Sequence, residues 1–217
     1  MLKNFLSLFL QSPCPLCQRR TGDWLCSYCL NQLLSSKHNR PHQLWSGALP
    51  RFIWGYYDGR LKQIIAALKF EKRPELGLEL GLLLGEAWLQ APLGKLRPLV
   101  VPIPLHPDKL KERGFNQAEL LAQGFCRLTR YPLVPQGLLR VKNTAALFAL
   151  DPQARRETLK DALMLGPSLA KTNQPILLLD DILTTGATAE AAQNVLRQNG
   201  KPVLGIAALA SSLALRP

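Results

Sequence analysis

The chain has 217 residues, 47% of them hydrophobic, and it carries 27 basic against 15 acidic residues, a formal net charge of +12. This length and apolar content suffice for one α/β core with a small module beside it. No stretch approaches the ~20 apolar residues of a membrane-spanning helix, so no span is predicted. The positive charge favours anionic ligands or nucleic acid without choosing between them, and a merely soluble basic surface is the alternative.

The first ten residues imitate a short signal peptide, but their apolar core is short and Gln11-Ser12-Pro13 offers no small-residue cleavage site. A lipoprotein interpretation fails because Pro13 directly precedes Cys14. We interpret the segment as an amphipathic lead-in helix that packs on the domain. The predicted location is cytoplasmic, and peripheral contact with the inner face of the membrane stays open.

Four of the five cysteines form two Cys-x-x-Cys pairs, Cys14 with Cys17 and Cys26 with Cys29. Two such turns can close a tetrahedral sulfur shell around Zn²⁺. The eight-residue spacer is shorter than the ~15–20 residues of many zinc ribbons. The alternatives are two disulfides, which need an exported chain, or a redox pair, which needs no duplication. We predict a structural zinc site in a ribbon-like module over residues 1–36, and a core position for Cys126.

A linker over 37–51 follows, and residues 52–217 form the main domain. The patterns predict, in chain order, a strand-like run at Trp54–Tyr57, helices at Arg60–Phe70 and Leu76–Gln90, a buried strand at Leu99–Pro104, a basic loop at Lys109–Arg113, a helix at Ala118–Thr129 and a terminal strand at Pro202–Leu209. These elements make right-handed βαβ units and a mainly parallel sheet. Dinucleotide and Walker-type sites are disfavoured because their glycine motifs are absent from the sequence.

The most informative run begins with the aliphatic residues 176–179, ends that strand in Asp180 and Asp181, and continues through the loop Thr184–Thr188 into an Ala-rich helix. Acids at the carboxyl end of a strand, followed by a loop at a helix N-terminus, are how α/β proteins build a sugar-phosphate site. The carboxylates can accept hydrogen bonds from ribose hydroxyls, while loop N–H groups and Thr hydroxyls hold a phosphate. The alternative is a structural strand end whose acids cap the next helix, although adjacent carboxylates are costly without partners.

This run resembles the phosphoribosyl-pyrophosphate (PRPP) signature of type I phosphoribosyltransferases. Together with the cysteine pairs, it makes the chain similar to the ComF family, whose members join a four-cysteine zinc module to a phosphoribosyltransferase domain. The other matching pieces are Tyr57–Gly59, Leu68–Phe70, Val101–His106 and Glu112–Gln117. Without the resemblance, the last of these is predicted only as a basic loop capping a helix.

The resemblance implies a fold class, α/β with a type I phosphoribosyltransferase-like parallel sheet flanked by helices, and roles for particular residues. Asp180 and Asp181 would hold the ribose hydroxyls at the catalytic position, directly or through water on Mg²⁺. The Pro104–His106 turn would face the pyrophosphate, and His106 is by position the candidate base. The PRPP-binding residues would be Thr184, Thr185, Gly186, Ala187, Thr188, Leu105, His106, Lys69, Arg113 and Arg140, with Lys111 a further candidate cation. Mg²⁺ bridging the pyrophosphate oxygens is expected for so dense an anion.

The resemblance also implies a role in handling imported single-stranded DNA with the DNA-uptake machinery, in natural transformation or in using DNA as a nutrient. The basic charge suits that role, and five aromatic residues near Arg51 and Arg60 can either stack bases or pack the core. They are Trp45, Phe52, Trp54, Tyr56 and Tyr57.

Two alternatives are an active phosphoribosyltransferase in nucleobase salvage and a PRPP-sensing regulator without catalysis. Leu147, Thr158 and Leu163 replace a Gln, an Asn and a Phe that are usual in the family. Loss of these residues weighs against turnover more than against PRPP binding, so the sequence leaves enzymatic activity open.

Overall fold

The structure is a computed structural model, described here over residues 12–93, 97–142 and 162–212. Its elements, in chain order, are β1 (Ser12–Pro13), β2 (Arg20–Thr21), α1 (Ser27–Leu34), β3 (Arg51–Tyr56), α2 (Gly59–Phe70), α3 (Glu75–Gln90), β4 (Leu99–Pro102), α4 (Pro107–Arg113), α5 (Gln117–Thr129), β5 (Leu138–Arg140), β6 (Leu163–Leu165), a 3₁₀ turn (Pro167–Leu169), β7 (Ile176–Leu183), α6 (Ala187–Gln198) and β8 (Val203–Ser211). The predicted lead-in helix, and positions 147 and 158, lie outside the described residues.

A four-stranded sheet in the order β3-β8-β7-β4 forms the centre, and each neighbouring pair is parallel. Strand β7 lies between two neighbours, and its first four residues, Ile176–Leu179, are fully buried. An uninterrupted aliphatic run is what a parallel strand covered on both faces requires. Because the strands are parallel, their carboxyl ends meet at one edge of the sheet, where β7 delivers its two aspartates.

Successive side chains of the sheet alternate between two hydrophobic clusters. Leu177 and Leu179 join the cluster that contains α2, α3 and α5, whereas Ile176 and Leu178 join the one that contains α6. Helices therefore flank both faces of the sheet, which confirms the predicted α/β architecture.

Helices α3 and α5 approach each other closely because both carry glycines at the contact. A Cβ atom at Gly81 would lie 2.2 Å from the Leu121 carbonyl oxygen, and one at Gly124 would lie 2.1 Å from the Leu78 carbonyl oxygen. These distances leave no room for a side chain at either position. The glycines that interrupt the helical pattern of α3 therefore serve packing.

Two local predictions need correction. The stretch expected to be a basic loop is the short helix α4, which begins with Pro107 at its first turn and ends at Gly114 in the left-handed region, φ 87°. The strand expected to reach Pro104 ends at Pro102. The antiparallel pair β5–β6, in which Arg140 faces Leu163, had no clear sequence signal. Within the described ranges, no helix is long and apolar enough to cross a membrane.

Candidate functional site

The acid pair lies near the carboxyl end of β7 and carries its own cation. Asp181 is buried, with 4% of its surface exposed, and its Oδ2 is ion-paired with Nζ of Lys69 from the last turn of α2. The Lys69 side chain is itself only 17% exposed. A buried carboxylate needs such a partner, since an unpaired charge there is strongly destabilising.

Asp180 is in a different electrostatic situation from its neighbour. Burial raises the pKa of Asp180 well above its usual range, and the charge of Asp181 adds to that effect, while the Asp181 N–H and Lys69 oppose it. The Asp181 N–H donates to Asp180 Oδ1 at 2.8 Å. Burial lowers the pKa of Arg140, and the charge of Asp180 partly offsets this, which places the Arg140 guanidinium in the field of the acid pair. The ionised form of Asp180 is therefore disfavoured in the fold unless a cation or a hydrogen-bond donor reaches it.

The loop between β7 and α6 has the shape of an anion cradle. Gly186 precedes α6 in the left-handed region at φ 82°, and the first intrahelical bond runs from the Glu190 N–H to the Gly186 carbonyl at 2.9 Å. The Ala187 N–H donates to Thr185 Oγ1 at 3.4 Å. The next N–H groups of the helix, at Thr188 and Ala189, have no carbonyl partner within the helix and are available to an anion.

The neighbouring strand β4 brings the predicted pyrophosphate turn to the same edge. The Ile103 N–H donates to the Leu179 carbonyl at 2.9 Å, so the turn containing Leu105 and His106 begins beside the acid pair. His106 precedes α4, and its Nδ1 accepts from the Asp108 N–H at 3.2 Å. That bond occupies one ring nitrogen in a helix cap.

Two residues near this turn, Arg113 and Asn116, make structural contacts, and only Arg113 is a predicted binding residue. Asn116 donates from Nδ2 to the Ile103 carbonyl at 3.0 Å and accepts from the Ala118 N–H at 3.1 Å, so it caps α5 and fixes the end of β4. Arg113 donates to Gln117 at the junction of α4 and α5. The structure thus brings Lys69, Arg140 and the His106 turn toward the acid pair, while the contact shown by Arg113 is to Gln117.

Sequence reasoning assigned Arg51 to a surface of aromatic residues and not to the phosphate loop. In the structure, Arg51 Nη2 lies 3.8 Å from the position that a Cβ atom would take at Gly186. The two residues are 135 positions apart, so no local pattern could have connected them. The contact arises only because α6 packs across the face of the sheet on which Arg51 lies.

The four paired cysteines form a single cluster in which all the sulfur atoms lie within 4.8 Å of one another. The sulfurs of Cys17 and Cys26 are 3.5 Å apart, and all four are free thiols. A tetrahedral shell with Zn–S bonds of about 2.3 Å spaces its sulfurs about 3.8 Å apart. The geometry is therefore compatible with a structural zinc site.

The electrostatics of this cluster point the same way. Burial acts to raise the pKa of Cys14, but backbone N–H groups of Cys26, Leu16 and Cys17 outweigh it and lower that pKa to about 6. Burial and hydrogen bonds from the other three sulfurs raise the pKa of Cys29 to about 12. Four sulfurs this close cannot all be thiolates unless a cation lies among them, which is the chemistry that Zn²⁺ supplies.

The aromatic residues divide into core and surface. Phe52 and Trp54 are buried and pack with the domain core, as the core-packing interpretation expects, whereas Tyr56 is 44% exposed. Tyr56 lines a cleft of about 510 Å³ between α1 and the start of α2. Arg60 in this cleft donates from Nε to Gln32 at 2.6 Å and from Nη1 to Gln63 at 2.8 Å.

A parallel α/β domain with an acid pair and a Thr-Gly loop on its central strand, joined to a four-cysteine cluster, defines a phosphoribosyltransferase-like protein with a four-cysteine module. The chain is 32% identical over 154 residues to Competence protein F of Haemophilus influenzae, and 33% identical over 151 residues to DNA utilization protein YhgH of Salmonella typhi. It is also 33% identical over 107 residues to Competence protein ComFC of Bacillus subtilis. The chain belongs to the ComF family.

The Haemophilus and Salmonella matches each cover 68% of this chain and 66% of the relative, and the Bacillus match covers 48% and 40%. No family model matches the chain. Among solved structures, adenine phosphoribosyltransferase from Leishmania donovani is 13% identical with a TM-score of 0.41, covering 87% of this chain and 81% of its own. TT1426 from Thermus thermophilus is 19% identical with a TM-score of 0.38, covering 65% of this chain and 86% of its own.

Proposed function

We propose that the protein binds PRPP, with Mg²⁺, at the carboxyl edge of β7. The observation that carries the proposal is the buried ion pair between Lys69 and Asp181, placed three residues before an anion-binding loop. A structural strand end has no need to bury two carboxylates and a lysine together, because such groups lose more hydration than they regain. A ligand that needs both hydroxyl acceptors and cations explains the combination.

Each group then has a defined task. Asp180 and Asp181 accept hydrogen bonds from the two ribose hydroxyls, and the loop Thr184–Thr188 holds the 5′-phosphate through N–H groups and hydroxyls. Lys69 and Arg140 face the pyrophosphate, whose charge is the largest electrostatic demand of the ligand. Leu105 and His106 shape the neighbouring wall.

The acid pair fits Mg²⁺ as well as ribose. Mg²⁺ keeps several waters and is usually bound through one or two carboxylates together with substrate phosphates. Asp181 is engaged by Lys69, so Asp180 is the better placed carboxylate. When bound, the ion would neutralise charge on the pyrophosphate.

Turnover is a separate question from binding. In an active enzyme, a base nitrogen would form a bond to C1 of PRPP while the bond from C1 to the pyrophosphate oxygen breaks and pyrophosphate leaves with the electron pair. His106 has one ring nitrogen engaged in its helix cap. We therefore favour a binding or sensing role over catalysis. Release of pyrophosphate in the presence of candidate bases would show turnover.

The second proposed role is handling of single-stranded DNA, in transformation or in use of DNA as a nutrient, at a cytoplasmic location that reaches the inner face of the membrane. Two relatives are named as competence proteins and one as a DNA utilization protein. The cleft at Tyr56 and Arg60 supports this role. The hydrogen bonds of Arg60 to Gln32 and Gln63 use two of its five N–H donors. An exposed ring and a guanidinium that line one cleft suit stacked bases and phosphates.

The experiment for PRPP is a calorimetric titration with Mg²⁺ into wild type and into Asp180→Asn/Asp181→Asn. Binding to the wild type that the double substitution abolishes supports the proposal. A folded wild type that binds no PRPP contradicts it. The control is Asp108→Asn, which removes an exposed carboxylate that neighbours His106 but lies outside the acid pair, and it should bind PRPP within about twofold of wild type.

A further inference from the structure

Arg51 is held beside the phosphate loop by the pairing of β3. Its N–H donates to the Leu44 carbonyl at 2.9 Å, and it is level with Ile206 in the parallel pair β3–β8. Phe52 packs into the cluster of α3 and α5, while Ile53 packs into the cluster of α6. Because side chains alternate along a strand, Arg51 lies on the α6 side with Ile53.

The Arg51 side chain ends at the tip of the loop. Its Nη2 lies 3.8 Å from the Cβ position of Gly186, and Glu190 Oε1 lies 3.9 Å from the same position. The left-handed backbone of Gly186, φ 82°, leaves that side of the loop open to them. The Arg51 guanidinium therefore lies beside the turn that leads into α6.

We propose that Arg51 binds the 5′-phosphate of the sugar ligand and makes the site selective for sugars that carry this phosphomonoester. This inference rests on the proposed PRPP function and names the group that the loop recognises. A phosphomonoester carries between one and two negative charges at neutral pH, whereas a helix N-terminus contributes only about half a positive charge. Glu190 brings a carboxylate to the same point, which disfavours a phosphate, and the Arg51 guanidinium offsets that charge.

A phosphomonoester also matches the hydrogen-bond donors of the Arg51 guanidinium. Its planar donors match phosphate oxygens two at a time, and such charge-assisted bonds are roughly twice as strong as neutral ones. An ammonium at the same position would keep the positive charge but could not bind two phosphate oxygens at once. Arg51→Lys should therefore recover only part of what Arg51→Ala loses.

The test compares two ligands that each occupy one part of the site. Ribose 5-phosphate and pyrophosphate, the latter with Mg²⁺, are titrated separately into wild type, Arg51→Ala, Arg51→Lys and the control Arg197→Ala. Arg197 donates to the Ala48 carbonyl at 3.0 Å from the last turn of α6, about 16 Å along the helix from the loop. The control removes the same charge at the far end of the helix whose first turn Arg51 approaches.

We expect Arg51→Ala to weaken ribose 5-phosphate binding about 10- to 100-fold and to leave pyrophosphate binding within about twofold. Arg51→Lys should lie between Arg51→Ala and wild type, and Arg197→Ala should resemble wild type. If the wild type binds PRPP and Arg51→Ala keeps the wild-type affinity for ribose 5-phosphate, the role of Arg51 is wrong but the proposed function stands. Equal losses for both ligands overturn it as well, because they indicate a general disturbance of the site. A wild type that binds neither PRPP nor ribose 5-phosphate removes the proposed function together with this inference.

Discussion

Substituting the two neighbouring aspartates should change stability in opposite directions, although each substitution alters a single carboxyl to an amide. Asp180→Asn is expected to stabilise the protein at pH 8 and Asp181→Asn to destabilise it. Burial and then the charge of Asp181 raise the pKa of Asp180, so its ionised form is disfavoured in the fold. Asp181 instead forms the ion pair with Lys69.

The sign of the pH dependence follows from the direction of that shift. A carboxyl whose pKa is raised on folding stabilises the fold while it is protonated, and the contribution is lost as pH rises through the folded-state pKa. At pH 8 the wild type therefore carries a penalty that Asp180→Asn does not. The advantage of the variant should shrink as the pH is lowered toward 5.

The magnitudes are moderate because Asp180 and Lys69 each retain some contact with solvent. Relief at Asp180 is expected to raise the free energy of unfolding by about 1–2 kcal/mol, which is about 2–8 °C in Tm for a chain of this length. Removing one partner of a fully buried ion pair costs about 3–5 kcal/mol. With the Lys69 side chain 17% exposed, we expect about 1–3 kcal/mol for Asp181→Asn.

The assay is urea denaturation of wild type and both single variants at pH 5 and pH 8, read by tryptophan fluorescence. A lower stability of Asp180→Asn than of wild type at pH 8 would refute the reasoning, because the acid pair would then carry no excess negative charge. Equal stabilities of the two variants would refute the distinction between the aspartates. The PRPP titration of the same samples shows whether the stabilised variant has lost its ligand.

Two further outcomes concern the module and the cleft. Zinc content measured by atomic absorption should approach one ion per chain and disappear in Cys14→Ser/Cys17→Ser, whose unfolding midpoint should also fall; a folded, zinc-free wild type contradicts the metal site. Tyr56→Ala should weaken single-stranded DNA binding about 5-fold or more in fluorescence anisotropy, and wild-type affinity should fall steeply with salt. The matched control is Phe70→Ala, which removes an aromatic ring that is 76% exposed but outside the cleft. Equal effects of the two substitutions would contradict a DNA contact in the cleft.

The parts of the fold that sequence could predict are those written in contiguous residues. The aliphatic run before Asp180 specifies a buried parallel strand, and the Thr-Gly loop with the Ala-rich stretch specifies a helix start, so this whole segment is predictable. Helix α4 was not predicted because seven residues are too few to show a helical spacing of apolar residues. Its ends nevertheless carried signals, since Pro107 favours a first turn and Gly114 a left-handed end.

Contacts between distant segments were the least predictable part of the site. The sequence proposed Lys69 as a cation for pyrophosphate, and only the fold shows its ammonium on Asp181. Arg51 reaches the loop across 135 positions of sequence. The β5–β6 pair joins Arg140 to residue 163, and neither strand is long enough to show alternation.

Helix α2 contributes residues both to the cleft and to the acid pair. Its first turn, with Gly59 and Arg60, lines the cleft, and its last turn holds Lys69 against Asp181. A ligand that draws Lys69 away from Asp181 therefore acts on the same rigid rod that forms one wall of the cleft. If occupancy of one region alters affinity at the other, thermodynamic reciprocity requires the same factor in both directions: whatever PRPP does to the affinity for DNA, DNA must do to the affinity for PRPP.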